Sequence, residues 1–160
     1  MRVLGRIASL SWLWNAVRVQ GGAYGTGLPL GDQGCACFYS YRDPNAARSL
    51  GCYRQTAEFL RGFLSGQPDL TGAILGAVAE SDPLLLPRRQ GKAADGLHFK
   101  GVTWEDRRAV RRDMLSATPE RLAELADSLE SLGRDGGVCV IGPQNQLDAC
   151  GGDIDTVYTL

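Results

Sequence analysis

The chain has 160 residues, 44% of them hydrophobic and 22% charged, and a formal net charge of −1 at pH 7. That composition is that of one ordinary globular domain, long enough to bury a core. The near-neutral balance excludes the basic surplus of a nucleic-acid binder, and no stretch is apolar and long enough to read as a membrane span.

The opening "MRVLGRIASLSWLWNAV" has the outline of a secretory leader, a charge followed by an apolar run. Arg6 interrupts that run and no small-residue cleavage site follows. Val3, Ile7, Leu10, Trp14 and Val17 recur at steps of four and three, which predicts an amphipathic helix buried along that stripe. Residues 22–30 then read as a strand weakened by glycine, Gly31-Asp32-Gln33-Gly34 as a turn, and "CACFYSY" (35–41) as a second strand. The short link predicts a hairpin.

Asp43-Pro44 reads as a helix start, with aspartate as the cap and proline at the first helical position. Leu50, Tyr53, Ala57, Leu60 and Leu64 form its buried stripe, and Gly66 ends it. Further helices are expected over Asp69–Glu80, closed by Pro83, and over about Pro87–Leu97. Thr103 caps the next, with Glu105 and Asp106 in its first turn where the helix dipole favours negative charge. Arg107, Arg108, Arg111 and Arg112 on that helix read as a solvated face. Thr118-Pro119-Glu120 opens a long helix carrying Leu122, Leu125, Leu129 and Leu132, with Gly133 as C-cap. "GVCVIG" (137–142) has the composition of a short, fully buried strand.

This order predicts an α+β fold, helices packed on one face of a mostly antiparallel sheet. Only three or four strands are expected, and the first helix needs a sheet beneath it. The chain therefore reads as a piece of a larger domain, with an exposed apolar face and open strand edges that favour self-association.

Five cysteines stand at 35, 37, 52, 139 and 150, an odd number without a C-x-x-C pair. They read as reduced thiols and suggest a cytoplasmic home, with neither a disulfide framework nor a zinc knuckle. The single histidine, His98, cannot build a histidine-based metal site alone and reads as a helix-end residue.

The stretch "WNAVRVQGGAYGTG" (14–27) draws three readings. A phosphate loop places its glycines after a strand and before a helix, whereas here they follow a helix and lead into a strand. A purely structural reading makes Gly21-Gly22 a helix end and Gly25 and Gly27 points of close packing. A functional reading has Arg18 and Tyr24 converge on one point, where guanidinium and phenol donors suit a peptide carbonyl or a developing oxyanion. Gly21, Gly22 and Ala23 would then let an extended substrate backbone approach. Spacing alone leaves the last two open.

"LWNAVRVQGGAYG", then "FYSYRDPN", "EFLRG", "AILGAVAESD" and "GVTWEDRRAVRRDML" occur in that order over most of the chain. Together they resemble the C-terminal domain of the presequence-protease branch of the insulinase/pitrilysin zinc metallopeptidases. "LGDQGCAC" and "PLLLPRRQGKAADG" look looser than that family's connecting segments.

The resemblance implies a clamshell of homologous α+β domains that degrades peptides in a closed chamber. The N-terminal half of such a polypeptide holds zinc through an H-x-x-E-H motif, whose glutamate serves as general base. The C-terminal half supplies an arginine and a tyrosine to the scissile carbonyl, and Arg18 and Tyr24 match those positions. This chain has no H-x-x-E-H, so the implied reading is a substrate-binding part that binds no zinc and is inactive alone. The alternative is a catalytically dead homologue kept as a binding or assembly module.

Overall fold

The computed structural model describes residues 2–31 and 35–158. The chain opens with α1 (Arg2–Ile7), which runs without a break into a π-helical segment, Ala8–Val19. The buried positions show the change of register: Val3 and Leu4, Ile7 and Ala8, then Leu13, then Ala16 and Val17. A π-helix bonds i to i+5, so its inward face drifts from the α-helical stripe. Val3, Ile7 and Val17 are buried as the spacing predicts, whereas Leu10 and Trp14 face solvent and Leu13 takes the inward place.

Two short antiparallel strands follow, β1 (Gly25–Gly27) and β2 (Tyr39–Tyr41), with Gly25 opposite Tyr41 and Gly27 opposite Tyr39. A single bridge joins Leu30 to Ala36 beyond them. The expected strands over 22–30 and 35–41 are thus realised over three residues each, in the middle of the first and at the end of the second. Leu28 shows why: its amide donates to the Ser9 hydroxyl at 2.9 Å rather than to a neighbouring strand. Of the predicted turn, Asp32 to Gly34 lie outside the described residues.

The helix expected from Asp43 to Gly66 is two helices, α2 (Ala46–Arg54) and α3 (Thr56–Ser65). The break has an identifiable cause. The Cys52 carbonyl accepts from the Trp12 indole at 2.9 Å and from the Thr56 hydroxyl at 3.1 Å. Side-chain donors at that carbonyl disturb the i→i+4 ladder where residue 56 should join it. The cap of α2 is Asn45, whose side chain accepts from the Arg48 amide. Asp43 instead accepts from the Asn45 amide at 2.9 Å and the Ser49 hydroxyl at 2.6 Å.

Further on come α4 (Thr71–Ser81), α5 (Pro87–Phe99), α6 (Trp104–Leu115), α7 (Pro119–Asp135) and α8 (Gln144–Cys150). Thr103 caps α6 in a capping box with Asp106, and Thr118 caps α7 with proline at the first position. α7 runs two residues past Gly133, to a cap at Gly136. His98 sits exposed in the last turn of α5. Of the arginine run on α6, Arg107 and Arg111 reach Asp82 at the end of α4, and Arg108 and Arg112 face solvent.

One apolar core joins α1 and the π-helical segment to α3 and α7, through residues such as Leu4, Leu13, Leu60, Leu64, Leu122 and Leu129. Arg61 on α3 bridges Asp127, at 2.6 Å, and Glu130 on the rim of the α3–α7 contact. The fold is α+β in content, but helices dominate. Among the described residues the expected mostly antiparallel sheet is reduced to one two-stranded ribbon.

Residues 137–142 correct the sequence reading most plainly. They run without forming a strand, and Ile141 is 86% exposed. A strand is a pairing rather than a property of its own residues, and no described residue offers this segment a ladder. Residues 137–141 lie across a groove of about 400 Å³ from Phe38 to Asp43.

Candidate functional site

The π-helical segment ends at Val19, and its last turns are held from outside. Arg48 on α2 donates to the Ala16 carbonyl at 2.8 Å and to the Gln20 side chain at 3.2 Å. A guanidinium at a helix C-terminus satisfies carbonyls that have no partner within the helix and complements the negative end of its dipole. The same contact fills the space beside Gly21: a Cβ there would stand 2.4 Å from the Val17 oxygen and 2.9 Å from Arg48 Nη1. Gly22 turns the chain at φ 81°, a left-handed conformation that suits glycine. Ala23 is buried, and its amide returns to the Val17 carbonyl at 3.2 Å.

This closed turn determines where Arg18 and Tyr24 sit. The Arg18 guanidinium lies over the Trp14 ring, 3.9 Å from its centroid, and its Nε donates to the Tyr24 carbonyl at 3.1 Å. Trp14 and Arg18 are one π-helical turn's neighbours, and the cation–π contact holds the guanidinium over the indole. Its two terminal nitrogens make no hydrogen bond among the described residues.

Tyr24 is 58% exposed. Its amide donates to the carbonyls of Tyr41, at 3.2 Å, and Arg42, at 3.4 Å, which fixes it to the end of β2. Its ring meets that of Tyr41 at 5.3 Å and 60°, and the Arg42 guanidinium stands 5.4 Å from the same ring. Gly25 makes this crowding possible: a Cβ there would lie 2.2 Å from Tyr41 Cε1. Across the ribbon, Tyr41 and Tyr39 thus cover glycines, a pairing that recovers packing the glycines lack.

The fold therefore sets Arg18 against the Tyr24 backbone carbonyl, with Gly21, Gly22 and Ala23 forming the turn between them. The sequence reading assigned no role to Trp14, Tyr41 or Arg42, which complete the patch. Tyr41 and Arg42 were visible in "SYRDPN", beside glycines spaced to receive aromatic rings. Trp14 was obscured because α-helical periodicity assigns it to the core.

Among the described residues neither Arg18 nor Arg42 has a carboxylate within ion-pair distance, unlike Arg54, Arg61, Arg111, Arg121 and Arg134. The patch is thus a pair of uncompensated cations around exposed phenols, suited to carbonyl or anionic groups. Among the described residues no group of three or more His, Cys, Asp or Glu side chains could hold a metal ion. All five cysteines are free; Cys52 and Cys150 are buried, and burial raises both thiol pKa values.

The family of the PreP C-terminal domain matches residues 1–143. The chain belongs to that family. It is 36% identical to presequence protease 1, chloroplastic/mitochondrial, of Arabidopsis thaliana over 92% of this chain and 14% of that protein. It is 32% identical to the mitochondrial presequence protease of Danio rerio over 90% of this chain and 14% of that protein. It is also 29% identical to protein HypA of Clostridium perfringens over 92% of this chain and 15% of that protein. The chain thus spans about one seventh of the length of these relatives, matching 14% in the first.

The cytoplasmic home read from the cysteines is overturned here. The Arabidopsis and Danio relatives are chloroplastic or mitochondrial by name. Free thiols report a reducing chemistry, which is not an address.

Proposed function

We propose that this chain is the substrate-contacting C-terminal part of a peptidase, and that Arg18 and Tyr24 bind the scissile carbonyl of a peptide. One observation carries the reading. The Arg18 guanidinium is anchored by Trp14 and the Tyr24 carbonyl and, among the described residues, has no carboxylate partner and no hydrogen bond at either terminal nitrogen. Fixed donors of this kind stabilise negative charge as it develops on a carbonyl oxygen, because they need no reorganisation when it forms. The Tyr24 phenol adds a second donor from the same exposed patch. Gly21, Gly22 and Ala23 are the turn along which the substrate backbone passes, with Gly22 on its solvent side.

The named peptidase relatives and the family match support this reading, and their sevenfold greater length supports a chain that works within a longer polypeptide. In this proposal zinc is held by the N-terminal half of that polypeptide, in a closed chamber, and this chain alone cleaves nothing.

The test is peptide hydrolysis by the longer polypeptide that carries this chain. Arg18→Ala and Tyr24→Phe should each lower kcat by roughly ten- to a thousandfold, with smaller changes in KM. Wild-type kinetics for both would leave the chain a binding or assembly module.

A further inference from the structure

Arg42 has a backbone that its side chain does not favour. Its φ of 47° lies in the left-handed region, where a residue with a Cβ is uncommon and glycine or asparagine sits more easily. Such strain persists only where the surroundings determine it, and it concentrates at working sites. Two contacts impose it here. The Arg42 carbonyl accepts from the Tyr24 amide at 3.4 Å, and the next residue, Asp43, is tied to Asn45 and Ser49 at the start of α2. A glycine at 42 would satisfy the same turn without strain, so it is the arginine that needs an explanation.

The explanation lies at the other end of the side chain. The Arg42 guanidinium has no carboxylate partner among the described residues, and its recorded contact is the face of Tyr24, 5.4 Å from the ring centroid. With Tyr41 at 5.3 Å, it leaves an exposed tyrosine ring held by two neighbours rather than free to rotate. We propose that Arg42 is a positioning residue: its guanidinium fixes the Tyr24 ring so that the phenol hydroxyl meets the substrate carbonyl. This rests on the reading that Tyr24 touches substrate. It adds that the arginine of "SYRDPN" acts through that tyrosine and not on the peptide directly.

The experiment compares Arg42→Gly, Arg42→Lys and Tyr24→Phe, and the double variant Arg42→Gly with Tyr24→Phe, in peptide hydrolysis by the longer polypeptide. Glycine removes the cation while relieving the backbone, so thermal stability should hold or rise. kcat should fall by roughly two- to fivefold, the scale of an exposed cation–π contact, with KM moving less. Lysine should restore most of that loss. In the Tyr24→Phe background, which has no hydroxyl to aim, Arg42→Gly should have no further effect.

An unchanged kcat in Arg42→Gly beside an impaired Tyr24→Phe would overturn the positioning role alone. The same fold-loss in the Tyr24→Phe background would show that Arg42 acts on the peptide itself, which also overturns it. A silent Tyr24→Phe would sink the reading of the site and this proposal together.

Discussion

Among the described residues between Ala8 and Arg42 the backbone departs from α or extended geometry at the π-helical segment, at Gly22 and at Arg42. Between Thr103 and Gly136 it does not: two helices start on side-chain caps, run regularly and stop. The charges differ in part. Arg121 and Arg134 have aspartate partners within their own region, and Arg107 and Arg111 close on Asp82, while Arg108 and Arg112 face solvent. Among the described residues Arg18 and Arg42 have no carboxylate partner and lie instead over aromatic rings. In the helical region the N-caps and the leucine stripe agree with the fold, and only the Gly133 stop signal is overrun, which is close to what stability alone requires. In the first region the local rules are broken around a single exposed patch, which long-range contacts from Arg48 and Tyr41 and the local Trp14–Arg18 contact hold in place.

Glycines give the sharpest way to test that contrast. Gly25→Ala should destabilise the chain by about 1–3 kcal/mol, because a Cβ at 2.2 Å from Tyr41 displaces the ring and disturbs Tyr24 with it. Gly91→Ala, in the regular helix α5 that precedes the Thr103–Gly136 region and where a Cβ would meet nothing within 4 Å, should stabilise by about 0.5–1 kcal/mol. Denaturant unfolding of the two variants checks both signs. Matching signs would erase the distinction between irregular and regular backbone.

A smaller effect tests the helical region by itself. Thr103→Ala should cost about 0.5–2 kcal/mol, the usual value of an N-cap. The capping box should also titrate. Hydrogen bonds from the Thr103 side chain and backbone hold the Asp106 carboxyl below its ordinary 3.8. A depressed carboxylate pKa adds stability above the unfolded value, and that contribution disappears as pH falls through the lower folded value. Stability measured from pH 5 downward should therefore include an acid-side loss that Asp106→Asn removes. An identical profile in wild type and variant would contradict the capping box.

The same contrast explains what the sequence disclosed. Thr103, Thr118-Pro119 and the Leu122–Leu129 stripe announce α6 and α7, because caps and periodicity are local properties. Arg18 and Tyr24 were legible through "RVQGGAYG" as a motif, and Gly25 and Gly27 as points of close approach. The inward turn of Leu13 and outward turn of Trp14 were not, because π-helical register is imposed by neighbours. Nor was the break at Gln55, which depends on an indole forty residues away reaching the Cys52 carbonyl. The "GVCVIG" segment misled for the opposite reason: its composition favours a strand, but a partner edge has to be supplied from elsewhere.

On the proposed reading, the irregular region brings Arg18 and Tyr24 onto one oxygen. A double-mutant cycle on kcat, using Arg18→Ala and Tyr24→Phe in the longer polypeptide, tests it most directly. Two donors to the same developing charge act as a unit, so the double variant should lose clearly less than the product of the two single losses. Independent, fully multiplicative losses, or none at all, would contradict the claim.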